Sequence, residues 1–233
     1  MPSKVLFVAA VGSDPRNPWF SWSYVRQNSD TLLAALREHV LLTVVAVLVA
    51  SLIAIPLALV AYRLEWLSGT ILALCGALYT VPSLALFAML APFTGLKPVT
   101  VLIGLVLYAL LTILRGGLTG LRQVPPEVRE AARGMGYGKL RLLWRIELPL
   151  AMPSIVTGLR IATVTTVALV TVGYVAGHGG FGTLIISGFN NNFYRPQIMT
   201  ATLACVGLAL VFDGLLLLAA RATMPWQRRK GSS

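Results

Sequence analysis

Five long stretches of this chain contain almost no charged side chains, and they limit the folds available to it. A helix needs about 20 mostly apolar residues to cross a bilayer. The stretches that meet or approach this length are residues 40–62, 66–96, 98–114, 154–176 and 198–220, of which 98–114 is the shortest. We predict an all-α integral membrane protein with about five transmembrane helices. Pro56 and Pro82 are expected to lie inside the first two.

Composition supports the same class of protein. Hydrophobic residues make up 57% of the chain and charged residues 12%, whereas about 25% of the residues in a typical soluble domain are charged. A single soluble core cannot bury this much apolar surface, so a soluble enzyme and a soluble DNA-binding domain are excluded. The net charge of +11 is therefore interpreted as a signal of membrane topology and not of nucleic-acid binding.

The basic residues are unevenly divided between the two ends of the predicted spans. One side carries most of them: Arg63, Arg115, Arg122, Arg129, Arg133, Lys139, Arg141, Arg145, Arg221, Arg228, Arg229 and Lys230. Cytoplasmic loops are enriched in Lys and Arg, so this side is predicted to be cytoplasmic. The chain is then a multi-pass protein of the plasma or inner membrane, with its N-terminus outside and its C-terminus inside.

The sequence outside the spans predicts short tails. Residues 1–30 form an extracytoplasmic tail, residues 31–222 the membrane domain and residues 223–233 a basic cytoplasmic tail. The apolar run at residues 5–11 is too short for a signal peptide, so no cleavage is expected. Ser29 and Asp30 are positioned to cap a helix over residues 31–39, which we expect to lie at the membrane interface before the first span.

The longest polar segment, residues 123–153, lies between the third and fourth spans. Prolines suited to a helix start are followed by acids that favour its first turns and by glycines that end it: Pro125, Pro126, Glu127, Glu130, Gly134, Gly136 and Gly138. A second helix begins at Lys139, and Pro149 and Pro153 are expected to close the segment before the fourth span. The pattern predicts a cytoplasmic helix–turn–helix.

This segment carries a specific resemblance. Glu130-Ala131-Ala132, then Gly136, then Ile146 and Leu148-Pro149 resemble the EAA loop of ABC importer permeases. In that family the loop is a coupling helix that docks in a groove of the cytoplasmic ATPase. The resemblance implies these coupling residues: Glu130, Ala131, Ala132, Gly134, Met135, Gly136 and Tyr137. The alternative is a basic amphipathic segment lying on anionic lipid.

The resemblance extends over most of the chain and indicates a branch of the family. Residues 80–90, 108–121 and 147–164 are similar to the permeases of osmoprotectant importers, which carry glycine betaine, choline, carnitine and related solutes. The glycine-rich segment after the fourth span is expected to form a tight outer loop, re-entrant or gating, through Gly177, Gly179, Gly180 and Gly182. His178 and the three asparagines at 190–192 depart from the family pattern.

The resemblance also implies partners. These are a cytoplasmic ABC ATPase dimer, a second permease subunit that is either the same chain or a paralogue, and an extracytoplasmic substrate-binding protein. The lipid bilayer is the solvent, and no nucleic acid is expected. ATP and Mg would be bound by the ATPase, so this chain is expected to bind no cofactor and no metal.

Two ionisable residues lie inside predicted spans, where a charge at the bilayer centre costs at least about 2.5–3.5 kcal/mol. Arg160 and Asp213 both fall in the cytoplasmic half of their spans. One hypothesis is that they pair with each other, and another is that both line the inward-facing end of a transport path. In the structural alternative Arg160 extends to the membrane surface and Asp213 contacts water there.

No catalytic residue is predicted in this chain. The segment RGMGYGKL fails as a phosphate-binding loop because Arg133 replaces its first glycine and Leu140 its Ser or Thr. We therefore predict a transport subunit that works by alternating access and is not itself an enzyme. Two alternatives remain: a permease for another small solute, such as methionine or an oxyanion, and an ATP-independent secondary transporter with Arg160 and Asp213 as coupling charges.

Overall fold

The computed structural model describes residues 17–224, and the regular structure in that part of the chain is helical. The long helices are α2 (Ser29–Arg63), α5 (Pro98–Arg122), α8 (Leu148–Val172) and α10 (Arg195–Thr223). The short ones are α1 (Trp22–Gln27), α3 (Glu65–Thr80), α4 (Ser83–Thr94), α6 (Pro126–Gly134), α7 (Lys139–Leu142) and α9 (Phe181–Asn190). Residues 1–16 and 225–233, with most of the two predicted tails, lie outside the described residues.

The described helices include 4 that are long and apolar enough to cross a membrane, and up to 5 when α3 and α4 are counted as one broken span. This confirms the predicted all-α membrane architecture. The third span, which looked short at residues 98–114, is part of α5 and extends to Arg122. The helix is therefore long enough to span without a steep tilt, although Arg115 interrupts its apolar run.

The second span differs from its prediction. It is not one helix with Pro82 inside it, because α3 and α4 meet at an angle of 91° on either side of Val81 and Pro82. Proline disfavours a helical conformation in the residue before it, and Val81 is extended. The hydroxyl of Tyr108 donates a hydrogen bond to the carbonyl of Val81 and so satisfies a backbone group that the break releases. Pro56, in contrast, lies inside an unbroken α2.

The start of the first span also differs from its prediction. The separate interfacial helix expected over residues 31–39 is wrong, because α2 runs without a break for 35 residues from Ser29. Its N-cap position is occupied by Asn28 rather than by Ser29 or Asp30. No glycine or proline occurs between Ser29 and Pro56, and the polar Glu38 and His39 find partners on another segment, so nothing ends the helix there.

The polar segment between α5 and α8 contains two helices, as predicted, but its end does not match the prediction. Pro149 and Pro153 do not close it, because α7 continues through a π-helical turn, Leu143–Glu147, directly into α8. In that turn the N–H of Leu148 donates to the carbonyl of Leu143, five residues back. Pro149 has no N–H to donate, so this wider turn accommodates it and the helix continues.

Helix α5 lies at the centre of the bundle and packs against α2, α3, α4 and α8. Its contact with α8 is close, because Gly116 and Gly158 face each other without side chains. Helix α10 lies at the periphery against α8 and α9 and leaves much of its apolar surface uncovered. In a membrane protein such a surface contacts lipid or another subunit.

The segment before α2 packs against the turn that precedes α10. The Asn17 side chain donates to the carbonyl of Phe193 and accepts from the backbone N–H of Arg195. The rings of Tyr24 and Tyr194 meet edge to face, with their centroids 5.6 Å apart. Burial, and to a smaller extent Tyr194, raises the pKa of the Tyr24 hydroxyl above its usual range.

Candidate functional site

Polar side chains gather at both ends of the bundle, and α2 connects the two groups. The basic end contains Arg63, Arg122 and the coupling segment, residues 125–147, which consists of α6, the turn after it, α7 and the π-helical turn. The glycine-loop end contains residues 177–182 with Glu38 and His39. Glu38 and Arg63 are 25 positions apart on one helix, which separates the two ends by about 37 Å.

At the basic end, α6 presents part of its surface outward. Glu130, Ala131 and Met135 are exposed, whereas Ala132 is buried. The turn after α6 is closed by hydrogen bonds from the N–H of Gly136 to the carbonyl of Arg133 and from the N–H of Tyr137 to that of Ala132. These positions match the residues that the resemblance implies, but their contact with an ATPase stays a prediction.

The structure shows why Gly136 and Tyr137 suit their positions in this turn. Gly136 has φ = +83°, a left-handed conformation that a side chain would strain. The ring of Tyr137 lies under the guanidinium of Arg141, 4.6 Å from the ring centroid to the carbon of the cation. The glycine therefore permits the reversal between α6 and α7, and the cation–π contact holds the turn closed.

Behind α6 lies a hydrogen-bonded cluster that sequence reasoning missed. It consists of Tyr62 and Arg63 at the end of α2, Arg129 on α6, and Glu147 in the π-helical turn. Glu147 directly precedes the Leu148-Pro149 of the motif, and this adjacency was the available signal. We call this group the Glu147 cluster.

At the glycine-loop end, α2 holds the loop through two neighbouring side chains. The Glu38 carboxylate contacts Nδ1 of His178 at 2.8 Å and accepts from the backbone N–H of Gly180 at 3.1 Å. His39 is fully buried; its Nε2 lies 3.0 Å from the carbonyl of Val167 and its Nδ1 3.3 Å from the N–H of Phe181. These contacts fit a neutral imidazole that carries its proton on Nε2. Sequence reasoning had not assigned Glu38 a role.

The glycines of this loop are required for two different reasons, the backbone conformation and the lack of space for a side chain. Gly177 and Gly180 have positive φ angles of +80° and +51°. Gly179 and Gly182 lie against the backbone of Tyr174 and Thr171, where there is no room for a side chain. The loop leads into α9, which has 10 residues and is too short to cross a membrane. The tight backbone path is therefore present, and a gating role stays a prediction.

Arg160 and Asp213 lie together and join α8 to α10. Nε of Arg160 donates to Oδ1 of Asp213 at 2.8 Å, and Nη2 donates to Oδ2 at 2.7 Å. This bidentate geometry is the strongest that a guanidinium and a carboxylate form. Among the alternatives drawn from sequence, the structure has the paired one. The pair borders a cavity of about 470 Å³ that Thr157, Ile161 and Thr165 also line.

We expect charge reversal at this pair to release α10 from the bundle. Arg160→Asp and Asp213→Arg each place two like charges together in a membrane, and the yield of folded protein should fall by about ten-fold. The double variant Arg160→Asp/Asp213→Arg restores an opposite pair and should recover most of the loss. The measurement is the monodisperse fraction of the fluorescently tagged chain in mild detergent. Losses in the double variant that equal the sum of the single losses contradict the pairing.

A second cavity, also about 470 Å³, lies between α5 and α8. Its lining is partly polar and includes Tyr79, Thr112, Arg115, Ser154 and Thr157. Arg115 is exposed on α5, seven residues before the helix ends. Because an unpaired cation avoids hydrocarbon, this face of the bundle is suited to water or another protein rather than to lipid.

Comparison with known proteins identifies the family. Residues 46–225 match the family described as the binding-protein-dependent transport system inner membrane component. The chain belongs to this family. The matched residues include α5, the whole coupling segment, the glycine loop and α10. The predicted membership in the importer permeases is thereby confirmed.

Individual relatives are similar over nearly the whole permease. The glycine betaine/carnitine/choline transport system permease protein OpuCD of Bacillus subtilis is 33% identical over 210 residues, 90% of this chain and 92% of the relative. The osmoprotectant import permease protein OsmW of Salmonella typhimurium is 34% identical over 198 residues, 83% and 92% of the two chains. The predicted resemblance to osmoprotectant permeases is therefore confirmed.

A solved structure supports the fold. An inward-facing structure of the MetNI methionine ABC transporter superposes with a TM-score of 0.77 and 21% sequence identity, covering 84% of this permease and 98% of that chain. At this identity the likeness concerns the fold. The helical arrangement therefore resembles that of a chain of this ABC transporter.

Proposed function

We propose that the permease moves a compatible solute with a quaternary amine, such as glycine betaine, carnitine or choline, into the cell. The observation that carries this proposal is 33% identity over 90% of the chain to a permease named for these three solutes. Relatives named for choline and for carnitine transport match over similar lengths, at 33% identity each. The identity extends through the helices that form the bundle and not only through the coupling segment.

The basic end is, in this proposal, the cytoplasmic one. Arg63, Arg122 and α6 lie at the same end of the bundle, and Lys and Arg are enriched in cytoplasmic loops. The glycine loop is then outside, together with the start of α2, and α10 ends inside. This orientation agrees with five membrane crossings when α3 and α4 form one broken span.

The permease supplies a path and a mechanical coupling in this proposal, whereas a separate ATPase dimer binds ATP with Mg and hydrolyses it. The exposed surface of α6 around Glu130, Ala131 and Met135 docks on that dimer. ATP binding closes the ATPase pair and moves α6, so that the bundle opens outward to receive the solute from an extracytoplasmic binding protein. Hydrolysis resets it. This chain takes part in no covalent step.

A second permease subunit completes the path. The bundle leaves the cavity with Arg115, Thr112 and Thr157 open on one side, and a facing subunit with the same features encloses it. The hydroxyl groups of Thr112 and Thr157 can donate hydrogen bonds to a carboxylate or hydroxyl oxygen of the proposed solute, whereas its quaternary ammonium has no N–H to donate. Whether the second subunit is the same chain or a paralogue decides only the symmetry of this enclosure.

The test of this proposal is the substitution Glu130→Arg. It reverses a charge on the outward surface of α6, so we expect the copurified ATPase and the uptake of labelled glycine betaine both to fall by about ten-fold or more. The measurements are mass spectrometry of proteins that copurify in mild detergent, and uptake into cells. Unlabelled carnitine and choline should compete for uptake, and methionine and sulfate should not.

The matched control is Asp30→Arg, which makes the same change in charge at the opposite end of the bundle. It should retain the ATPase. A wild-type chain that brings no ATPase in several detergents, or that takes up glycine betaine after ATP is depleted while an ion gradient persists, contradicts the importer. Competition by methionine or sulfate in place of carnitine and choline contradicts the proposed solute class.

A further inference from the structure

Glu147 is the most deeply buried acidic side chain at the basic end, with 1% of its surface exposed. Its Oε1 accepts a hydrogen bond from the hydroxyl of Tyr62 at 2.9 Å, and its Oε2 accepts one from Nη2 of Arg63 at 3.1 Å. Both carboxylate oxygens are therefore engaged. A buried carboxylate is strongly destabilising without such partners, so the two contacts constrain where Glu147 can lie.

Tyr62 extends this contact to α6. Its hydroxyl donates to Glu147 and accepts from Nη1 of Arg129 at 2.8 Å, which uses the single donor of the phenol and one of its lone pairs. Arg129 precedes Glu130 on α6, one position before the motif residues. The Glu147 cluster thus joins α6 to the end of α2 and to the turn that begins α8.

The same two helices hold the glycine loop at their far ends. Glu38 and His39 on α2 contact Gly180 and Phe181, and the backbone of Thr171 on α8 lies against Gly182. Each helix is a continuous rod between its two contacts, since α2 runs unbroken from Ser29 to Arg63 and α8 from Leu148 to Val172. A displacement of α6 that moves α2 and α8 would therefore also move the glycine loop.

Apart from this cluster, few contacts attach α6 to the rest of the bundle. Its main packing contacts are with α7 and the π-helical turn, which follow it in the chain, and only Ala132 among its residues is fully buried. Arg129 therefore contributes a direct bond between α6 and a membrane-spanning helix. Without that bond α6 would still be attached through α7, and its connection to α2 would be weakened.

From these contacts we propose that Glu147 is a positioning residue for energy coupling: with Tyr62, Arg63 and Arg129 it transmits movement of α6 to α2 and α8. This inference rests on the proposed function and assigns the transmission to named side chains. The bridging hydroxyl of Tyr62 is the link between α6 and the two rods. Glu147 fixes the position of that hydroxyl, and Arg63 neutralises the carboxylate.

The variants Tyr62→Phe and Glu147→Gln test the inference because they keep shape while removing the hydroxyl or the charge. In proteoliposomes with the whole transporter, we expect the solute transported per ATP hydrolysed to fall by about five-fold, while the ATPase stays bound and active. Arg129→Lys keeps a cationic donor and should retain most of the ratio, whereas Arg129→Met should lose it. Tyr194→Phe at the opposite end of the bundle is the matched control.

A second measurement needs no ATPase and no solute. If the cluster holds α6, trypsin should cleave α6 of the purified chain about five-fold faster in Tyr62→Phe and Glu147→Gln than in the wild type, because local opening sets the rate of cleavage. Variants with the wild-type transport ratio and the wild-type cleavage rate overturn the inference. A wild type without ATP-dependent uptake overturns the proposed function instead, and the cleavage rates then decide whether the cluster holds α6.

Discussion

Replacing Gly182 by alanine is expected to abolish most solute uptake. A Cβ at this position would lie 2.2 Å from the carbonyl oxygen of Thr171 and 2.4 Å from its Cα, and both are backbone atoms that no rotamer change can move. Helix α9 would have to lift from α8, and overpacking of this kind costs about 1–3 kcal/mol or more. Uptake of labelled glycine betaine at equal amounts of folded protein should fall by about ten-fold.

Gly207→Ala provides the control, because Gly207 lies in α10 and a Cβ there would have no atom within 4 Å apart from its chain neighbours and the backbone of its own helix. It should transport and fold as the wild type does. Size-exclusion profiles of the tagged variants separate a loss of folded protein from a loss of transport. Wild-type uptake by Gly182→Ala would contradict the close seating of α9 on Thr171.

The membrane spans could be predicted from the sequence because the bilayer imposes a strong and local requirement. Each stretch with few charged residues corresponds to a helix or, for α3 and α4, to a broken pair. The start of α2 could not be predicted in this way. By hydropathy, the polar residues Arg37, Glu38 and His39 mark the edge of a span. In the structure Glu38 and His39 have hydrogen-bond partners 128 to 142 positions away, which keep them in the helix.

The prolines affect the backbone differently from one position to another. The local sequence does not predict which proline interrupts its helix. Pro56 lies inside an unbroken helix, Pro82 follows a bend of 91°, and Pro149 is accommodated behind a π-helical turn. What distinguishes Pro82 is the Tyr108 hydroxyl, which satisfies the carbonyl of Val81 at the break. That partner comes from another helix, so tertiary structure stabilises a break that Pro82 favours locally.

In the candidate site too, some features could be predicted from the sequence and others could not. The motif around Glu130 could be recognised because it is continuous in the sequence, and the left-handed Gly136 fits the predicted turn. The coupling role of these residues stays a prediction. The pairing of Arg160 with Asp213 was one of several hypotheses, since a charge in a membrane needs a partner or water. Tyr62 and Glu147 are 85 positions apart, and no local pattern indicates that they meet.

Gly158→Leu is expected to have the largest effect on assembly, because it separates the two most closely packed helices. A Cβ built on Gly158 would lie 3.0 Å from the Cα of Gly116 and 3.1 Å from the carbonyl oxygen of Thr112. Leucine adds three further carbon atoms, so α5 and α8 must move apart and the cavity bordered by Arg115 and Ser154 loses its shape. Small residues are what allow such approach between membrane helices.

We expect the yield of folded Gly158→Leu protein to fall by about ten-fold or more, measured as the monodisperse fraction in mild detergent. Gly158→Ala should lose less, because one carbon requires a smaller separation of the helices. Gly76→Leu is the size-matched control, since a Cβ there would have no atom within 4 Å apart from its chain neighbours and the backbone of its own helix. Alanine at both Gly116 and Gly158 should cost less than the sum of the two single losses, because the helices need to separate only once. A sum that is strictly additive, or a leucine variant that folds like the wild type, would contradict the direct contact between these glycines.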